Sequence, residues 1–380
     1  MPLYDLLIRG GEVIDPSAGS RATLDVAVAN GRVAAIGADL PAEAERVVDA
    51  RGRLIVPGLI DLHTHLGFEI HRQTIQADDM CPPSGVTTAV DMGSTGVYTF
   101  PWYRDRVIER SATRLFEFIN ISALGTIAIH EPYYVSYYGD YIDPDEVLCT
   151  IEENPEYICG IKVFASSQMV GDAALGAVRT AVQVGREAGL PVAVHVSARP
   201  PPVEEVLALL RPGDIMTHTY TPNSQTILDD EGRVRAGVRE ARERGVLFDL
   251  GHGFGSFSFE VARRAMDDDF LPDTISTDLY ADNMVTPVKD LLTTASKFLC
   301  LGMPLEEVLA RITIRPARAL RASDLGALRV GGPADIALLR LCEGEYIYRD
   351  CRDGVLQGRQ KLECDLTVCR GRILYQRDEG

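Results

Sequence analysis

Nowhere does the chain hold an uninterrupted apolar run near the roughly 18 residues that a membrane-spanning helix needs, which argues against such a span. Positive charge is also scarce. Lys and Arg number 38 against 55 Asp and Glu, a net charge of −17, so little here would neutralise phosphates and a nucleic-acid role is disfavoured. Met1-Pro-Leu-Tyr-Asp-Leu-Leu-Ile8 lacks the basic start and long apolar stretch of a signal peptide and reads as a strand. The eight cysteines are scattered, without a Cys-x-x-Cys pair, and some sit in apolar settings such as Phe298-Leu-Cys300-Leu. Reduced thiols in a cytoplasmic protein are expected, not a disulfide framework or a thiolate zinc site. No Gly-x-Gly-x-x-Gly follows an early strand, so a dinucleotide fold lacks its best signal. What remains is an enzyme-like composition, 46% apolar and 24% charged, with a small molecule as the expected partner and self-association into a homo-oligomer.

Two styles of patterning divide the chain. Residues 1–57 and 326–380 carry short strand-like runs broken by turns, among them Leu24-Asp-Val-Ala-Val28, Asn30-Gly31 and Val33-Ala-Ala-Ile36. Asn-Gly between two such runs is a strong hairpin signal. The two ends are expected to build one small β-sandwich domain. Residues 58–325 instead alternate apolar runs with helical periodicity, the rhythm of βα units. Eight candidate strands fall at 58–65, 85–94, 115–123, 158–165, 191–197, 214–219, 246–252 and 274–279. Helices are expected between them, clearest at 173–188, 203–210, 234–244 and 259–266, with two more at 289–301 and 305–320. That count and length predict an α/β fold, a (β/α)8 TIM barrel.

Four of the seven histidines fall at or near the C-terminal ends of predicted strands: His63, His65, His195 and His218. Barrel enzymes carry their chemistry at that end. Side chains alternate along a strand, so His63 and His65 share one face, as two ligands of a zinc-type cation would or as a pair of core histidines would. Lys162 lies in the apolar run Ile158-Cys-Gly-Ile-Lys-Val-Phe-Ala165, with no carboxylate in the same strand. A bare ammonium is costly to bury there. It either finds a simple partner elsewhere or becomes a neutral amine that reacts with carbon dioxide to give an anionic carbamate ligand. Asp278 ends the eighth candidate strand, where a carboxylate would bind a cation and shuttle a proton, or would cap a helix. Together, His63, His65, Lys162, His195, His218 and Asp278 form the donor set for two divalent cations, of zinc type, that lower the pKa of a bridging water and polarise a scissile carbonyl. On the substrate side, His252, flanked by Gly251 and Gly253, and Arg199 are candidate contacts, each with a plain structural alternative. The run Tyr133-Tyr-Val-Ser-Tyr-Tyr-Gly-Asp-Tyr141 would form an aromatic lid, cover the rim or meet a second subunit, while His71 and His130 have no assigned role.

The chain resembles the dihydroorotase-like branch of the amidohydrolase superfamily. The resemblance rests on Val56-Pro-Gly-Leu-Ile-Asp-Leu-His-Thr-His65, Gly160-Ile-Lys162, Val194-His195, Thr217-His218 and Ser276-Thr-Asp278, with Leu7 to Pro16 and Gly331-Gly-Pro-Ala-Asp335 at the ends. It implies His63 and His65 on a more buried cation, His195 and His218 on a more exposed one, and carboxylated Lys162 bridging both. Asp278 would bind the buried cation and act as general base and acid. Leu207-Ala-Leu-Leu-Arg-Pro-Gly-Asp214, Asp249-Leu-Gly-His-Gly-Phe-Gly-Ser-Phe257 and Leu271 to Asp278 are similar to a subgroup that hydrolyses acetylated α-hydroxy acids, acetyl-(R)-mandelate among them, and N-acyl compounds.

A dihydroorotase would be expected to carry an Arg soon after the His-x-His pair and an Asn ending the second strand. Here those stretches are Leu66-Gly-Phe-Glu69 and Asp91-Met-Gly-Ser94. Other departures, at Gly67 to Asp79, Phe164-Ala-Ser166 and Ser197-Ala-Arg199, lie in loops over the mouth, where substrate is chosen. Three functions stay open at this point. One is an ester or amide hydrolase acting on a small carboxylate-bearing molecule. Another is a cyclic amidase or deaminase on the same cations, and the third is a non-catalytic scaffold.

Overall fold

A computed structural model describes residues 3–129 and 139–378, so His130 and Tyr133 to Tyr138 lie outside the described residues. The N-terminal part is built from β1 (Tyr4–Asp15), β2 (Ser20–Ala29), β3 (Arg32–Gly37), β4 (Ala44–Asp49) and β5 (Leu54–Pro57). Asn30 and Gly31 have φ of 52° and 73° and turn β2 into β3, as the Asn-Gly signal predicts. Gly10-Gly11 interrupts β1 as a bulge rather than ending it, because the pairing with β2 shifts register between Ile8 and Gly11.

A second sheet holds seven parallel strands in sequential order: β6 (Leu59–Thr64), β7 (Val86–Asp91), β8 (Arg114–Asn120), β9 (Ile158–Phe164), β10 (Val192–His195), β11 (Ile215–Thr217) and β12 (Leu247–Phe248). Along β6, Ile60 and Leu62 pack with Ala317 and Ala319 of a covering helix. Asp61, His63 and His65 therefore fall on the opposite face of the sheet by simple alternation. The chain ends in β13 (Ile336–Arg349), β14 (Val355–Cys369) and β15 (Arg372–Gln376). These join the N-terminal strands in one eight-stranded sheet, because β5 pairs parallel with β1 and antiparallel with β13. The strands of the small part are thus hydrogen-bonded into one sheet drawn from both chain ends.

Of the eight expected core strands, two depart most from their apolar runs. β12 has two residues where 246–252 was expected, since Gly251 and Gly253 take left-handed φ values of 47° and 56°. Residues 274–279 form no regular strand; Asp278, at φ 50°, breaks their extended course. The segment still links the two edges of the curled sheet. Leu250 N–H donates to Thr274 O at 3.0 Å on one side, and Asp278 N–H donates to His63 O at 2.7 Å on the other. The stretch 305–320 is also divided, into helices Leu305–Arg311 and Ile314–Ala319, by the non-helical backbone of Thr313 at φ −134° and ψ −90°. Among the described residues no helix is long and apolar enough to cross a membrane.

Candidate active site

Six side chains meet where the parallel strands end. His63 Nε2 and His65 Nε2 lie 3.2 and 3.0 Å from Asp278 Oδ1. Lys162 Nζ is 3.5 Å from His63 Nε2, and His218 Nε2 is 2.7 Å from His195 Nδ1. His63, His218 and Asp278 each offer a ligand atom within 4.8 Å of the others, and all three are buried. The backbone itself is bent to make this possible: His218 and Asp278 hold φ of 64° and 50°. Such left-handed positions cost about 1–3 kcal/mol each for a residue with a side chain, and they gather at functional sites.

The outward nitrogens are committed to fixed partners, which sets what faces inward. Thr217 Oγ1 donates to Asp249 Oδ2 at 2.8 Å, so it accepts from His63 Nδ1 at 2.9 Å. Asp249 is held in turn by the hydroxyls of Thr274 and Ser276, at 2.6 and 2.7 Å. His218 Nδ1 donates to Gly251 O at 2.7 Å, and His65 Nδ1 meets Ser94 Oγ at 2.9 Å. His63 and His218 therefore turn Nε2 inward, where it can meet a cation or carry a proton. Asp91 holds the chain beyond His65, taking N–H bonds from Leu66, Gly67 and Ser94 at 2.6, 3.1 and 2.7 Å. Glycine is required at the strand-end turn. A Cβ on Gly251 would lie 2.2 Å from Thr217 Oγ1, and one on Gly253 would lie 2.4 Å from Asp278 Oδ2.

Inward-facing lone pairs against a carboxylate oxygen repel unless a cation or a proton lies among them. His195 Nε2 is buried with no hydrogen-bond partner among the described residues. Burial drives the His195 imidazole well below its usual range and His218 to about 3, so both favour the neutral form a cation needs. Burial also pulls the Lys162 ammonium down to about 8, despite the raising effect of the Asp278 and Asp249 charges. For Asp278, burial pushes the carboxyl up, but the His63 charge and the hydrogen bonds of His63 and His65 outweigh it and keep it anionic. Four imidazoles, one carboxylate and a buried amine fit divalent transition cations. Replacing Asp249 with Asn is expected to loosen cation binding by about 10–100-fold, as loss of an outer hydrogen-bond partner does. Competition against a chromogenic chelator measures it.

Above the cluster lies a pocket of about 150 Å³, walled by Phe164, Met169 and Phe254 and offered polar groups by Gln73, Thr74, Thr126 and Ser256. His71 lines it too, as does Tyr280. Neither expected substrate contact does. Arg199 is exposed, its backbone N–H on Ser224 Oγ at 2.8 Å. His252 is fully buried, with Nδ1 2.9 Å from Gly253 O and Nε2 2.6 Å from Lys297 Nζ. Sequence reasoning missed Ser94, Thr217, Asp249 and Lys297, whose partners lie tens of residues away. Gln73, Thr74 and Ser256 sit in loops, with no periodicity to mark them.

A nitrogen-and-carboxylate cluster at the ends of a curled parallel sheet, under a small pocket, defines a class of hydrolytic enzyme. Comparison with known proteins agrees. A deacetylase from Agrobacterium fabrum is 35% identical over 90% of this chain and 85% of its own, and one from Brucella anthropi is 37% identical over 88% and 84%. The structure of an adenine deaminase superposes at TM-score 0.91, with 28% identity over 98% of this chain and all of its own. That of a dihydroorotase superposes at 0.88, with 32% identity over 97% and 98%. No protein-family model matches the chain. The chain belongs to the amidohydrolase superfamily, on its dihydroorotase-like side, and is a hydrolytic enzyme. That leaves no place for a non-catalytic scaffold.

Proposed function

We propose that this enzyme hydrolyses an ester or amide bond in a small acylated carboxylate, of the acetylated α-hydroxy acid or N-acyl amino acid type, with two divalent cations of zinc type. His63, His65 and Asp278 would hold one cation and His195 and His218 the other, with Lys162, carboxylated on Nζ, joining them. Bound there, such cations lower the pKa of water and polarise an acyl carbonyl. The observation that carries the reading is Lys162 itself. It is 1% exposed, 3.5 Å from His63 Nε2, in a strand without a carboxylate, and its amine is brought toward neutrality by burial.

The chain's own groups then divide the work. Asp278 Oδ1 sits between two imidazoles, which leaves Oδ2 to take a proton from water and pass it to the departing oxygen or nitrogen as the acyl bond breaks. Phe164, Met169 and Phe254 bound a space suited to a short acyl compound, and Gln73, Thr74 and Ser256 offer hydrogen bonds to its polar end. The named deacetylase relatives favour an acyl group over a ring. The test is a panel of acetylated α-hydroxy acids, N-acetyl amino acids, cyclic ureides and adenine, on protein purified without chelator. Turnover of the acylated acids with nearly two cations per chain is expected. Turnover confined to ureides or adenine refutes the substrate class, and less than one cation per chain refutes the metal site.

A further inference from the structure

A second buried lysine stands outside the catalytic cluster. Lys297, in the helix Leu291–Cys300, is fully buried, and its three N–H donors meet three acceptors: Pro287 O at 2.6 Å, Arg349 O at 2.9 Å and His252 Nε2 at 2.6 Å. Each acceptor belongs to a different part of the chain. Arg349 ends β13, at the tip of the long hairpin that the small sheet sends over the strand ends. Pro287 follows the Asp278 segment. His252 sits between the two left-handed glycines, Gly251 and Gly253.

That turn carries the active site. The Gly251 carbonyl accepts the Nδ1–H of His218, and Gly253 gives Asp278 Oδ2 its room. The residues just beyond, Phe254 to Ser256, form one wall of the pocket. The hairpin tip grips the same stretch again. Cys351 N–H donates to Phe257 O at 3.1 Å, and Asp350 Oδ2 accepts from Phe259 N–H at 2.8 Å. Arg352 reaches Asn223 Oδ1 at 2.8 Å, and Asn223 in turn donates to Gly255 O at 3.3 Å.

We propose that Lys297 is a positioning residue of the active site. By tying the hairpin tip to the Gly251-His252-Gly253 turn, it holds the carbonyl that orients His218 and the loop that walls the pocket. His252 acts here as the acceptor that receives the tie, not as a contact to substrate. The small sheet is in this way part of the catalytic apparatus.

Amide hydrogen exchange tests this without metal or substrate. It is followed in residues 250–258, with 158–164 as reference, for the wild type, Lys297→Met, His252→Phe and the double variant. Each single change is expected to speed exchange in 250–258 at least tenfold and leave 158–164 unaltered. The double variant should be no faster than Lys297→Met alone, because that change already removes the tie that His252→Phe removes. Exchange in 250–258 that tracks the reference, or effects that add, would overturn the proposal. Should Lys297→Met fail to fold, His252→Phe carries the same comparison, since it spares both carbonyl partners of the lysine. A second readout rests on the metal-site reading: the visible absorption of cobalt-loaded protein should change in both single variants. A wild type that binds no cobalt refutes that reading, while the exchange result still decides the role of Lys297.

Discussion

Asp278→Asn is expected to lower turnover of the best acylated acid by about 10²–10⁴-fold, the usual worth of a positioned acid–base group. The substitution keeps the shape of the side chain and its left-handed backbone, since Asn tolerates that conformation at least as well as Asp. What it removes is negative charge beside two imidazoles and the basic oxygen next to Gly253. A neutral amide can neither take a proton from water nor hand one on. The loss should therefore fall on kcat, with the melting temperature moved only slightly. Turnover within about threefold of the wild type would remove Asp278 from the proton path, since a general base is worth far more than that.

The other large effect is expected at Lys162. Lys162→Ala should abolish activity and reduce the bound cations to one or fewer per chain, because in the proposed site carboxylated Lys162 joins the two cations. Truncating a long buried side chain also leaves a cavity, costing about 2–5 kcal/mol. Lys162→Met separates the two causes. It nearly preserves volume and removes the amine, so a folded but inactive Met variant points to the lost ligand rather than to collapse. Protein exposed to ¹³C-bicarbonate should show a carbamate carbon resonance in the wild type and none in either variant. An unchanged rate in the Met variant would refute the carbamate.

Much of this site could be read from the chain because its chemistry follows local rules. His63 and His65 share a face because strands alternate, and Lys162 stood out because its strand is otherwise apolar. The hairpin at Asn30-Gly31 was legible for the same reason: φ above zero is a property of those two residues. Where expectation and structure part, the cause is distant in sequence. Residues 246–252 and 274–279 look like full strands, yet Gly251, Gly253 and Asp278 leave the extended region to bring the Gly251 carbonyl to His218 and the carboxylate to His65. His252 carried flanking glycines that suggested a ligand, but the glycines make room for Thr217 and Asp278, and the imidazole is taken by Lys297.

By itself, then, the sequence determined which residue types would gather at the strand ends, since periodicity, hydrophobic burial and the cost of a buried amine act over a few neighbours. Only the tertiary structure decided which nitrogen of each histidine faces inward and which loops wall the pocket. It also decided that the C-terminal hairpin braces the strand-end turn. Those outcomes depend on hydrogen bonds such as His63 to Thr217 and Lys297 to Arg349, whose partners meet only when the whole sheet has curled.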